Sequence, residues 1–438
     1  MSWGAGGTIV YNPFFGDGIF VLRPDGSEPV AVTTLDPKRR ESFHVYPKLL
    51  SDGKRFLYVI HTVASQPNEI WAGSVDGTLR QRVLRADALV GIARGDVYFM
   101  RDGAVYAQRL DEDDLRVEGE PRRVAQRVGF FEPDAAPGAS MADDGALLYS
   151  VPTDDTIEWA WYDRSGRRIE KIYEDAGVVP RSLSRDGKKV AAVKFEASKG
   201  ANDIYIVDLE RGLRTRLTSG LSFHQSPVWS PAGDRVYFGS DRDGPYDIYA
   251  QAEDGTTPAV PVWKSALDKD VRDITPAGDA LICLESTRET RNDIWFVPIE
   301  APEKRRPLIA TEADEIGALL SPDGQWIAFR SDRSGRYEAY VRRLEGGRTT
   351  QASTNGSTGF LWSADGSELI MRTYDGDRVA VPLTFSGNEA TPGKPLLLFT
   401  PPRGFSIHAA TAKGLLASTL PDPTDFVVPL YYDSAPLR

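Results

Sequence analysis

Three observations predict an all-β fold, a β-propeller of about ten four-stranded repeats, each 42–50 residues long, arranged as two lobes.

 The first is a recurring phrase. "SPDGQWIAFRSDRSGRYEAYVRRL" from Ser321 repeats, about ninety residues on, the pattern of "SPAGDRVYFGSDRDGPYDIYAQ" from Ser230. The second is its spacing. The glycine that ends the first turn of each copy falls at Gly53, Gly145, Gly187, Gly233, Gly278, Gly324 and Gly366. From Gly145 onward the gaps are 42, 46, 45, 46 and 42 residues. Degenerate copies at Gly7, Gly95 and Gly414 complete the series. The third is composition: 10% aromatic residues with 40 Gly and 30 Pro, and no convincing helical period. That mixture favours strands joined by tight turns.

Each repeat has the same elements in the same order. A short strand enters Ser/Thr-Pro-x-Gly, where Pro presets φ and Gly takes a positive φ. An alternating strand follows, with Val236 and Phe238 or Ile327 and Phe329 on one face. A polar turn such as "SDRDG" leads to a third strand, in which an acid or amide precedes aromatic and aliphatic residues, as in "NEIWAG", "NDIYIVDL", "NDIWFVP" and "YEAYVRRL". A short fourth strand such as "RTRLTS" closes the unit. A four-stranded unit of this length has two apolar faces and can bury both only between neighbours around an axis. The strand-three aromatics Trp71, Tyr205, Tyr249, Trp295 and Tyr340 are expected to pack between blades, and the acids before them to bond a nearby turn.

The repeats resemble those of TolB-like β-propellers, also called WD40-like or PD40 repeats, most strongly over residues 178–370. The order of "GIFVLRPDGSEPVAVTTLD", "HVYPKLLSDGKRFLYV", "DVYFMRDGAVYAQRLD" and "EWAWYDRSGRR" ahead of those blades is similar to the C-terminal propeller region of bacterial receptor-like serine/threonine kinases. The resemblance implies a sensor or scaffold module of such a kinase, or a stand-alone relative. Kinase chemistry itself needs a β3 lysine, an HRD-type loop and a DFG-type metal ligand. None of the four histidines (44, 61, 224 and 408) begins His-Arg-Asp, and Asp-Phe-Gly does not occur.

Other function classes are tested by residue type. Net charge is −11, so a whole-chain basic footprint for nucleic acid is lacking. Short basic runs at residues 37–40 and 303–307 read as loop charge. Cys283 is the lone cysteine, which rules out an internal disulfide and a cysteine zinc site. No Gly-x-Ser-x-Gly elbow occurs, so a hydrolase of the prolyl-oligopeptidase type stands as the alternative rather than the expectation. Asp241, Asp243 and Asp247 approach calcium-loop spacing, but Arg242 intrudes and turn chemistry is the expected role. No catalytic residue, metal or cofactor is expected. The N-terminus has neither the basic nor the apolar region of a signal peptide, and no stretch is long and apolar enough to span a bilayer. A cytoplasmic place is the default expectation, and an extracytoplasmic one follows if the chain is the ectodomain of a longer kinase. A periplasmic TolB-like envelope protein is a further alternative.

Two lobes are expected: residues 1–177, with four partly degenerate repeats, and a six-bladed ring over residues 178–438. One larger ring is the alternative, and the closing strand could come from either terminus. Function is expected at the axis, where the residues that open each inner strand converge. They are Arg181, His224, Gln225, Arg272, Glu315 and Phe360. Such a group would suit a protein or peptide partner, or a small anionic ligand, held by charge-assisted hydrogen bonds.

Overall fold

The computed structural model describes residues 1–438 except 5, 14–17, 40, 63–67, 127, 129, 132–135, 143–144, 150–155, 197–200, 288, 403, 420–429 and 433–438. The described residues form strands and turns, with two 3₁₀ turns at Pro37–Arg39 and Pro302–Lys304 and no α-helix among them. Among the described residues, ten antiparallel sheets have three strands or more. No helix among the described residues is long and apolar enough to cross a membrane.

The turns explain why the repeat is written as it is. In the copy at Ser230 the hydroxyl bonds Asp234 and accepts the Arg235 amide, while the Gly233 amide closes on the Ser230 carbonyl at 2.9 Å. Gly233 sits at φ +73°. Ser321 does the same with Asp323 and the Trp326 amide. Proline and glycine also meet between repeats: a Cβ on Gly324 would lie 2.7 Å from Pro276 Cδ, and one on Gly278 would lie 3.3 Å from Pro231 Cδ. The turns at Gly278, Gly324 and Gly366 are therefore fitted against the proline of the turn before them.

Six sheets are arranged as a ring. Blades one to four each run outward through four strands in chain order and begin with Val178–Leu183, His224–Trp229, Lys269–Ile274 and Glu315–Leu320. Blade five begins with Gly359–Trp362, and its third strand, Arg378–Ser386, pairs outward with both Glu389–Pro392 and Leu396–Phe399. Blade six is assembled from both ends of this region. Phe405–Thr411 and Gly414–Thr419 are its inner strands, and Thr156–Tyr162 and Arg168–Ala176 are its outer ones. The join is antiparallel, with Glu158 opposite Thr419 and Tyr162 opposite Leu415. First strands neighbour one another in cyclic order, and Phe405–Thr411 touches both Gly359–Trp362 and Val178–Leu183. A boundary at 177/178 thus falls inside the loop between two blades, and the strands of 156–176 share a sheet with the chain's later residues.

Apolar burial between blades holds the ring. Ala191 and Val193 pack on Val236 and Phe238, Ile248 on Leu281, Ile294 on Phe329, Val341 on Leu369, Ile370 on Leu415, and Leu416 with Trp159 on Val190. Every junction has such a cluster, and each large side chain contributes about 1.5–3 kcal/mol. Four of the five strand-three aromatics act as expected: Trp71, Tyr249, Trp295 and Tyr340 each pack on the cluster shared with the preceding sheet, whereas the Tyr205 ring is buried with the Arg214 guanidinium 4.9 Å above it. The acids before them reach forward. Asp247 accepts the Ser265 amide at 3.1 Å and Lys269 Nζ at 2.8 Å, and Glu338 accepts the Gly356 amide at 2.9 Å.

Ahead of the ring lie the sheets of residues 2–31, 41–85, 88–126 and 139–149, the last joined by Leu430–Tyr432. Successive sheets touch through Ile9–Tyr11, Glu41–Leu49, Ala88–Ala93 and Ala139–Met141.

Candidate functional site

The register of the inner strands decides which side chains reach the axis. Arg181, Arg272 and Phe360 each stand three residues before the Ser or Thr of their turn, at Ser184, Thr275 and Ser363. Pairing shifts between Pro180 and Ser182, and between Val271 and Asp273, so Arg181 and Arg272 are the extra residues of β-bulges. A bulge re-aims a side chain out of the ladder. In blade six the same position, three before Thr411, is His408, again at a bulge between Ile407 and Ala409.

These residues line an axial cavity of about 660 Å³, walled by the first strands of all six blades except that blade four contributes through Leu319 and Leu320 alone. Arg181, His224, Gln225, Arg272 and Phe360 are on its wall. Glu315 is not brought there. It stands six residues before Ser321, as His224 and Lys269 do before Ser230 and Thr275, and all three are buried. Glu315 instead accepts Thr311 Oγ1 at 2.6 Å and Arg333 Nη2 at 3.0 Å. Reading the strand start alone misses this, because the bulge separates the start from the residues that face the axis. His408 escapes the same reading because its blade is assembled from distant segments; its distance from Gly414 is the signal that finds it.

Two arginines and two aspartates, Asp270 and Asp273, bring charge to the cavity wall. Arg181 is exposed. Arg272 donates to Asp270 Oδ2 at 3.0 Å, while Arg272 Nε and Asp270 Oδ1 are buried without a protein partner. Both histidines are neutral near neutral pH. Burial, helped by Arg242 and Arg216, pushes His224 down to about 3, and burial with Arg181 nearby does the same to His408. Asp273 accepts the Leu320 amide at 2.7 Å and is pushed up to about 6 by burial.

Indole hydrogen bonds tie neighbouring blades at the inner strands, from an outer strand in the case of Trp159. Trp229 Nε1 bonds the Ser182 carbonyl, Trp362 Nε1 the Leu319 carbonyl and Trp159 Nε1 the Val178 carbonyl, each at 3.1 Å. The earlier sheets also reach the wall: the His61 ring lies 5.6 Å from Phe223, which lines the cavity, and Phe43 stacks on His61 at 4.3 Å.

Serine–histidine pairs occur, and their serines are buried. His224 Nδ1 is 3.0 Å from Ser240 Oγ, and Ser240 is wholly buried. Among the earlier sheets, Thr33 Oγ1, His44 and Glu41 follow the order of nucleophile, base and acid at 2.8 and 3.2 Å. Their hydroxyl already accepts the Ile19 amide, and His44 is fully buried. Despite the burial that opposes it, Glu41 is held down to about 2 by bonds from His44 and Arg80. The acids of the Asp241 loop likewise turn to separate partners: Asp241 to the Phe223 amide, Asp243 to Tyr249 and Lys264, Asp247 to Lys269.

Comparison with known proteins gives a partial match. Residues 164–292 match the family model of the TolB beta propeller domain, PD40. An uncharacterized protein of Agrobacterium fabrum is 28% identical over 172 residues, which is 39% of this chain and 47% of that protein. The chain therefore spans about half the length of that relative. A TolB structure from Agrobacterium tumefaciens is 18% identical, with a TM-score of 0.46, over 56% of this chain and 91% of that one. TolB from Acinetobacter baumannii is 18% identical, with a TM-score of 0.44, over 68% and 79%.

Proposed function

We propose that the chain is a non-catalytic binding module whose ligand enters the axial cavity. The observation that carries this reading is the pair of bulged arginines, Arg181 and Arg272, on the wall of a cavity of about 660 Å³. Two guanidinium groups on that wall suit a carboxylate or another anionic group, and charge-assisted bonds are the strong ones. A peptide or protein terminus, or a small anion, is the class of partner this favours. We take residues 156–419 as the ring and the sheets before it as a second lobe. Attachment to a serine/threonine kinase, as a sensor or scaffold, belongs to the same proposal and would be supported by a kinase reading frame immediately upstream. The match to the TolB propeller domain supports a propeller-based module of this kind.

The test is a titration of the protein with a set of peptides bearing free C-terminal carboxylates, followed by fluorescence. Replacing Arg181 and Arg272 together with Ala should weaken binding by at least about tenfold, the loss of one charged hydrogen bond or more. Unchanged affinity sinks the axial site. Stoichiometric labelling of a serine by a fluorophosphonate, with turnover, would favour the hydrolase reading instead.

A further inference from the structure

The third strand of each blade carries a fully buried apolar residue directly after its acid: Ile204, Ile248, Ile294 and Ala339 in blades one to four. In blade five that position is Arg378, which follows Asp377 and is only 3% exposed. The registers confirm the equivalence. Ile248 pairs with Gly239, Ala339 with Arg330 and Arg378 with Arg372, each nine residues after the Ser of its own turn. A cation thus replaces an apolar core residue at one junction of the ring, the one with blade six.

The other buried cation of the ring and two of its buried acids are paired. Lys269 meets Asp247 at 2.8 Å, Glu315 meets Arg333 at 3.0 Å and Glu338 meets Arg336 at 2.8 Å. Arg378 makes no ion pair among the described residues. Its guanidinium donates to the carbonyls of Gly376 at 2.5 Å and Phe405 at 2.8 Å, and Asp377 is engaged by Thr400 Oγ1 at 2.5 Å. Burial, with Arg372 nearby, pushes Arg378 down to about 10. A buried charge without a counter-charge is costly. Arg378 and Arg372 both line a cavity of about 190 Å³ between blades five and six, with Thr358 and Ser406 adding hydroxyls and no acidic residue on the wall. A water in the liquid takes about 30 Å³, so a small polyatomic anion and its waters fit.

We propose that this cavity binds a small oxyanion between Arg378 and Arg372. The anion supplies the ion-pairing partner that the Arg378 guanidinium lacks among the described residues, and the Ser406 hydroxyl offers it a further donor. Because the wall takes residues from blades five and six, occupancy also ties the ring across its closing junction.

Inorganic phosphate and acetate, each at constant ionic strength in chloride, serve as probes in calorimetric titration and thermal unfolding of the full chain. Saturable binding of at least one anion and a rise in melting temperature are expected. Arg378→Ile restores the residue type of the other blades and should abolish both effects once the axial arginines are also replaced. Arg372→Gln should weaken binding about tenfold, the loss of one charged hydrogen bond. The same measurements in an Arg181→Ala/Arg272→Ala background, which lacks the axial arginines, should still show both effects. If Arg378→Ile does not fold, Arg372→Gln and Ser406→Ala decide the matter, and unchanged affinity in both overturns the site. Absence of saturable binding to the unaltered protein also overturns it, as does equal binding by a folded Arg378→Ile. Complete loss in the Arg181→Ala/Arg272→Ala background would place the anion at the axis and overturn it as well.

Discussion

Gly324 shows how one residue answers to two demands. Its φ of +71° is a left-handed conformation, and its α-carbon faces Pro276 of the preceding turn with room for no side chain. Gly187 has the same φ sign, at +74°, but open space around it. Ala at Gly187 should therefore cost only the left-handed strain, about 1–2 kcal/mol. Ala at Gly324 should cost a further 1–3 kcal/mol or so for overpacking. Chemical denaturation of the two variants measures the difference, and equal losses would refute turn-on-turn packing. Asp241 makes a second prediction. Burial, with Asp268 nearby, pushes its carboxyl from 3.8 up to about 7 while it accepts the Phe223 amide. The folded state then holds a proton that the unfolded chain has lost, so this contribution is present below about pH 4 and falls away as pH rises towards 7. Asp241→Asn keeps an acceptor for Phe223 and removes the titration. Its melting temperature relative to the unaltered protein should rise between about pH 5 and pH 8; parallel profiles would count against the assignment. The turn glycines are legible in the sequence because only a positive φ allows their position. The raised Asp241 carboxyl is not, because its cause is burial by residues distant in the chain.

At the scale of the element, the period-two alternation and the Ser-Pro-x-Gly turn locate the inner and second strands of the clear repeats. They do not show the bulges that turn Arg181, Arg272 and His408 towards the axis, since a bulge is a mismatch in length between two paired strands. Nor do they show which sheet Thr156–Tyr162 joins. That strand carries Trp159 and Trp161, both buried, and its inner edge is covered by Gly414–Thr419. Ending the chain after Gly404 would bare that edge and leave those aromatics without their neighbour Leu416. Such a variant should melt at least about 10 °C lower, or aggregate. Ending it after Thr419 removes only Leu430–Tyr432 from the described strands and should preserve the ring's transition. Calorimetry distinguishes the two, and matching melting curves would refute closure by the C-terminal strands.

At the scale of the molecule, six clusters between six blades make a ring in which no sheet keeps a bare apolar face, and the axial and inter-blade cavities follow from that closure. The amino-acid sequence by itself determined the all-β class, the repeat length and the turn chemistry. Each of these rests on local rules of alternation and allowed φ, which act within a few residues. Only the tertiary structure decided that the sixth blade draws on residues from 156 and from 405 onward, that Glu315 turns away from the axis, and that Arg378 lies buried without an acid. Those outcomes depend on which sheet faces which, and burial and charge pairing across such faces are set by residues far apart in the chain.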